Sequence, residues 1–247
     1  MSTSTVHKIR NGTASRPAHD ARAPLLLNGD HLSVPEFERR YEAMPEDGKA
    51  ELIEGIVFMS PPISSEHGKA NNILGVLLGQ YAAATPGVAC AVNASLRLDG
   101  TNEYQPDVLL WIEQGKLART KAGPDGLLEG RPELVAEVAL SSHAFDLNEK
   151  KAVYQRNQIP EYIVWEVMDA RFHWFALERG EYVPLTRRRD LRGLVFCSRI
   201  FPGLWLDFPS LVVGKGYDKG IYSTLNRGLK SAEHQAFLKK LAASSRH

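Results

Sequence analysis

The spacing of apolar and polar positions along this chain changes several times, and each change predicts an element. Ser33 followed by Glu36 forms a capping box, which places a helix over 34–44. The run Glu51 to Ser60 predicts two short strands joined at Glu54-Gly55, and Pro61-Pro62 ends the hairpin. A helix follows over 65–84, with Ile73, Leu74, Leu77, Leu78 and Tyr81 on one stripe, and Pro86-Gly87 stops it. Strands are predicted over 88–98 and 105–112, separated by the polar turn Asp99-Gly100-Thr101-Asn102. The glycine-rich stretch 113–132 reads as a loop, 133–140 as a buried strand and 146–158 as a helix. Four more strands are expected at 162–167, 172–177, 182–185 and 193–196. A last helix covers 231–243, with Phe237, Leu238 and Leu241 facing inward. No internal repeat is visible. The sum is an α/β fold, a central mixed β-sheet flanked by helices.

Composition narrows this picture. Of 247 residues, 43% are hydrophobic, enough for a full core in one domain with tails. No apolar run reaches the roughly 18 residues of a membrane span, so no membrane partner is expected. The polar stretch 1–24 lacks the apolar block of a secretory signal and reads as a disordered tail. The division expected is a tail at 1–24, a catalytic-type domain at 25–213 and a basic helical extension at 214–247. Cys90 and Cys197 form no metal-ligand pair, which fits a reduced, cytoplasmic protein. A net charge of +1 does not by itself point to nucleic acid. The basic residues are clustered, however, at Arg187, Arg188, Arg189 and Arg192 and again past Gly214. Such clusters can contact phosphates, although charge runs more often form solvated faces.

The chemistry concentrates between Pro106 and Lys150. Asp107 opens one apolar strand, and Glu137 sits inside the run ELVAEVAL. A carboxylate in a buried strand is costly unless it is paired or metal-bound. If the two strands are neighbours, both acids can lie at one end of the sheet. On the next helix Asp146, Lys150 and Tyr154 recur every four residues and share a face. A short loop then lets Lys150 reach back toward the acids. The plainer reading of Asp146 and Lys150 is a surface pair worth about 0.3–0.5 kcal/mol. Two acids with a nearby lysine suit Mg²⁺, with Mn²⁺ as a substitute, in phosphodiester hydrolysis. Glu51 and His67 are second-tier candidates for a metal or phosphate contact, and His143, Asp146 and Tyr154 for a substrate contact. Ser141, Ser142 and His143 are adjacent in a loop without a nucleophile elbow, so a serine nucleophile is rejected. Trp165, Trp174 and Trp205 read as core.

In order along residues 31–211, the segments PEDGKAELIEGIVFMSPP, SSEHGKANNIL, QPDVLLW, PELVAEVALSSHAFDLNEKKAVYQRNQIPEYIVWEV and FPGLWLD resemble the bacterial Uma-type restriction-endonuclease family. That family is a branch of the PD-(D/E)XK nuclease superfamily. The resemblance implies a restriction-endonuclease-like core with Mg²⁺ at the paired acids. It makes Asp107 the motif aspartate, Glu137 the second acid and Glu51 a further acid. Ala139 stands where the superfamily places its lysine, and the resemblance assigns that role to Lys150 on the next helix. The usual Leu-Ser-Pro after the second acid reads Leu140-Ser141-Ser142 here, with His143 following. The function expected is Mg²⁺-dependent endonucleolytic cleavage of nucleic acid, DNA first, for which a homodimer would suit cutting two strands. The alternatives are a catalytically inactive binding or assembly module on the same fold, and a phosphodiesterase for a small nucleotide.

Overall fold

The computed structural model describes residues 23–45, 48–140, 143–186, 188, 195–207 and 219–245, without the side chains of 143 and 219–221. In chain order its strands are β1 Ala50–Ile53, β2 Ile56–Met59, β3 Val88–Val92, β4 Leu96–Asp99, β5 Asn102–Tyr104, β6 Val108–Ile112, β7 Thr120–Ala122, β8 Leu128–Gly130, β9 Leu134–Ala139, β10 Glu161–Glu166, β11 Arg171–Glu178, β12 Glu181–Pro184, β13 Val195–Cys197 and β14 Trp205–Asp207. The first two helices are α1 Val34–Glu42 and α2 Ser65–Ala83. A helical segment at 143–156 follows β9, and helices Lys219–Leu229 and Ala232–Ser244 end the described chain.

Two mixed sheets carry most of the fold. One has the order β12-β11-β10-β9-β6-β3, the other β2-β1-β5-β4-β8-β7. In the first, β9 and β10 run parallel and the other neighbours antiparallel. A parallel pair needs a crossover, and the segment 143–156 supplies it. Strand alternation then sorts the core. Leu134, Ala136 and Val138 of β9 join a cluster with Leu74, Leu77, Leu78 and Tyr81 of α2 and Phe237 and Leu241 of the last helix. Val135 and Ala139 face the other way, onto Val153, Tyr154, Tyr162 and Val164. Trp165, Trp174 and Trp205 are buried, as expected of core residues.

Two runs expected as single strands are each split between the sheets. Residues 88–98 break at Asn93, whose φ of 53° turns the chain from β3 into the sheet that holds β4. Asparagine tolerates this left-handed conformation better than most residues. Residues 105–112 are strand only from Val108. The preceding β5 lies in the other sheet, and Gln105-Pro106-Asp107 form the corner between them. Pro106 lacks a backbone donor, which suits a corner and not a ladder. Asp107 therefore sits where the two sheets meet.

Other differences are smaller. The expected loop over 113–132 holds a 3₁₀ turn at Gly115–Leu117 and strands β7 and β8. β14 and the helix Lys219–Leu229 were not expected. The helix placed over 146–158 begins with a π-helical turn, Asp146–Lys150, and continues as α-helix over Lys151–Arg156. Gln158, at φ 58°, ends it. Leu238 is only half-buried, whereas Phe237 and Leu241 point into the core. Arg187, Arg189, Arg192, Lys215, Arg246, Ser141 and Ser142 lie outside the described residues, as does the side chain of His143. Arg188 is described and pairs with Glu233 at 2.8 Å. Among the described residues no helix is long and apolar enough to cross a membrane.

Candidate active site

β6 and β9 are antiparallel neighbours, with Val108 opposite Ala136, so Asp107 and Glu137 meet at one end of their sheet. Each acid is fixed by the other's strand. The Val138 amide donates to Asp107 Oδ2 at 2.8 Å, and the Asp107 amide donates to Glu137 Oε2 at 3.4 Å. These bonds hold both carboxylates at the corner that Pro106 creates.

The segment after β9 brings in the lysine. Lys150 Nζ lies 3.1 Å from Glu137 Oε1, 3.1 Å from Glu51 Oε2 and 3.9 Å from Asp146 Oδ1. Tyr154, one turn on, donates its hydroxyl to Glu137 Oε1 at 2.9 Å. The predicted shared face of Asp146, Lys150 and Tyr154 is thus present, and it is buried, not a surface pair. The π-helical turn beneath it is a feature often found at functional sites.

Glu51 arrives from β1 and accepts from the Gln105 amide at 2.8 Å as well as from Lys150. His67, on the first turn of α2, places Nε2 3.4 Å from Asp107 Oδ2. Ser64 caps that helix by accepting from the His67 amide, which fixes the backbone beneath the ring. Asn71 donates to Asp107 Oδ1 at 3.1 Å. Sequence reasoning missed Asn71, and a signal for it exists. It lies four residues after His67 and three before Leu74, a polar residue on the buried stripe of α2.

Charge is unbalanced here. The carboxylates of Glu51, Asp107, Glu137 and Asp146 share this small buried region with one lysine. Burial pushes Glu137 up to about 8 against the pull of the Lys150 ammonium, and Asp107, Asp146 and Glu51 add to the rise. Burial alone would lower Lys150, but Glu137, Glu51 and Asp146 hold it protonated well above the usual lysine range. Burial likewise keeps Tyr154 a phenol.

All of these groups line or adjoin a cleft of about 430 Å³, within the size range of small-ligand sites. Asp107, Glu137, Glu51, Lys150, Asp146 and His67 are among the residues that line it. Among the described residues no three His, Cys, Asp or Glu side chains converge as a metal cage. Glu51, the third acid of the expected set, faces Lys150 and the Gln105 amide. Two carboxylates still fit Mg²⁺, which takes one or two and keeps several waters. The excess of buried negative charge is what a divalent cation would offset.

A family model described as "Uma2: Putative restriction endonuclease" matches residues 34–209. Among solved structures, a "putative nuclease belonging to DUF820" from Anabaena variabilis ATCC 29413 superposes with a TM-score of 0.56 at 14% identity, covering 78% of this chain and 99% of that one. That likeness carries the fold. No curated protein matches.

Proposed function

The chain belongs to the Uma2 family of restriction-endonuclease-like proteins, and we propose that it is a metal-dependent endonuclease that hydrolyses DNA phosphodiester bonds at the cleft between β6, β9 and the segment 143–156. The observation that carries this reading is the buried Lys150 ammonium, held 3.1 Å from Glu137 beside a second strand-end acid, Asp107. A buried ion pair with surplus carboxylates is a poor stability device, since apolar residues of similar volume usually stabilise as well or better. Its geometry suits charge chemistry at the cleft.

Asp107 and Glu137 would hold the cation. Bound Mg²⁺ supplies Lewis acidity toward the phosphoryl oxygens and lowers the pKa of a bound water. Asn71, the Val138 amide and His67 fix the Asp107 carboxylate, while Tyr154 and the Asp107 amide fix Glu137. Such outer partners matter for metal affinity almost as much as the ligands themselves. Lys150 Nζ, anchored by Glu51, offers N–H donors to the attacking water or to a phosphate oxygen.

The test is incubation of the purified full chain with plasmid and single-stranded DNA in Mg²⁺, in Mn²⁺ and with chelator. Cleavage in either metal that chelator stops, and that Asp107→Ala and Glu137→Ala both lose, is expected. No cleavage of either DNA would favour a binding or assembly module on the same fold.

A further inference from the structure

Beside the acids, the same cleft carries an apolar stretch. Phe58, Met59, Pro61, Pro62, Ile63 and Phe145 form it. The rings of Phe58 and Phe145 meet with centroids 4.9 Å apart at a tilt of 42°. Each also packs partly on the core beneath, so the aromatic pair is anchored and not freely mobile. Beyond it, Pro61, Pro62 and Ile63 are exposed, Ile63 by 54%. From Phe58 to Ser65 the chain carries no charged residue. This wall carries no charge to pair with phosphate, and prolines fix its shape.

We propose that this wall is a base-stacking subsite and that the substrate is single-stranded nucleic acid, a reading that rests on the nuclease assignment above. Three observations converge on it. First, Asp107, Glu137 and Lys150 are buried at the floor of the cleft, where the backbone of a stiff duplex reaches poorly. Second, the Phe58–Phe145 pair lines the same cleft as the acids, within reach of a base next to a phosphate bound there. Aromatic faces accept any base, the usual platform for single-strand binding. Third, among the described residues the cleft offers few cations. Lys49 and Lys150 are the lysines that line it, and Lys150 is already paired. Duplex binding draws on many phosphate contacts, whereas a stacked single strand needs fewer.

The test is a binding titration of the full chain in Ca²⁺, an oxygen-seeking cation of looser geometry than Mg²⁺. The probes are a short DNA single strand carrying 2-aminopurine, the same strand with an abasic site, and the matched duplex. The single strand should bind at least 10-fold more tightly than the duplex, with quenching of the 2-aminopurine. Phe58→Ala should weaken single-strand binding about 5- to 150-fold, the range of one lost base–aromatic stack. Phe58→Trp should restore it. The abasic strand should bind wild type and Phe58→Ala equally, a result that mere structural damage would not give. Phe145→Ala provides a second variant should Phe58→Ala unfold. Equal affinity for duplex and single strand, or an unchanged affinity in both alanine variants, would overturn the proposal, as would no binding at all. Single-strand binding without cleavage in Mg²⁺ or Mn²⁺ would support the subsite and refute the nuclease reading alone.

Discussion

Glu137 and Glu161 lie on adjacent parallel strands. Glu137 is level with Val164, Glu161 with Leu134, and both are buried. They sit about 10 Å apart along the strands, on opposite faces by alternation. Their surroundings differ in kind. Glu161 accepts from Trp174 Nε1, Ser198 Oγ and the amides of Arg199 and Ile200, at 2.6–3.3 Å. Every donor is neutral, the site is closed, and the carboxylate serves to pin the 198–200 turn beneath the sheet. Glu137 meets an ammonium, a phenol and a second acid, beside an open cleft. Burial pushes both upward, Glu161 to about 7 and Glu137 to about 8. Burial of an acid therefore does not mark a reactive site. A charged partner, surplus acids and an adjoining cleft are what set the Glu137 region apart.

The largest expected difference between the two regions comes from removing the cation. Lys150→Met should cost about 3–5 kcal/mol of stability near neutral pH, because carboxylates that faced the ammonium remain buried. Chemical denaturation measures this. Any cleavage activity should fall about 10²–10³-fold, as when a positioned charge at a reacting group is lost. Glu161 has no such partner to remove. A Lys150→Met protein with full stability would show that the pair contributes nothing to the fold.

Next in size is the pH dependence of Glu161. A raised folded pKa means that the native state favours the protonated form. Its contribution is complete below the unfolded value near 4.5 and is lost as pH rises through about 7. The loss approaches about 3 kcal/mol. Stability measured from pH 4 to 8 should therefore decline more gently in Glu161→Gln than in wild type. The slope is diagnostic, since the amide also places donors against donors. An identical slope would mean that Glu161 does not titrate in this range.

Smallest is Asn71→Ala. It leaves the Val138 amide on Asp107 but removes the α2 donor. Divalent-cation affinity should fall about 10-fold, the lower end for loss of a ligand's supporting hydrogen bond. A competition assay with a fluorescent chelator reads this, and unchanged affinity would detach α2 from the site.

What could be read beforehand follows the same division. The meeting of Asp107, Glu137 and Lys150 was legible because Glu137 interrupts an apolar strand, Asp107 opens the next one, and Lys150 shares a helix face with Asp146. The α/β layering followed from element periods. The corners at Asn93 and Pro106 fall inside expected strands although both residues disfavour a continuous strand, because apolar residues resume on each side and the pairing with a second sheet is what separates β3 from β4 and β5 from β6. Glu161 was hidden for a related reason. It opens its strand at the edge of the apolar run, where an acid looks exposed, and its donors come from residues 198–200 and Trp174, distant in sequence. Asn71 and Gln105 likewise gain their roles only from contacts that folding creates.

The central claim is that the Glu137 region holds a divalent cation and the Glu161 region does not. Calorimetric titration with Mn²⁺ of wild type, Glu137→Gln and Glu161→Gln tests it most directly. Wild type and Glu161→Gln should bind the ion with matching affinity, and Glu137→Gln should show no binding over the same range. Equal binding by Glu137→Gln and wild type would contradict the claim, as would no binding by wild type.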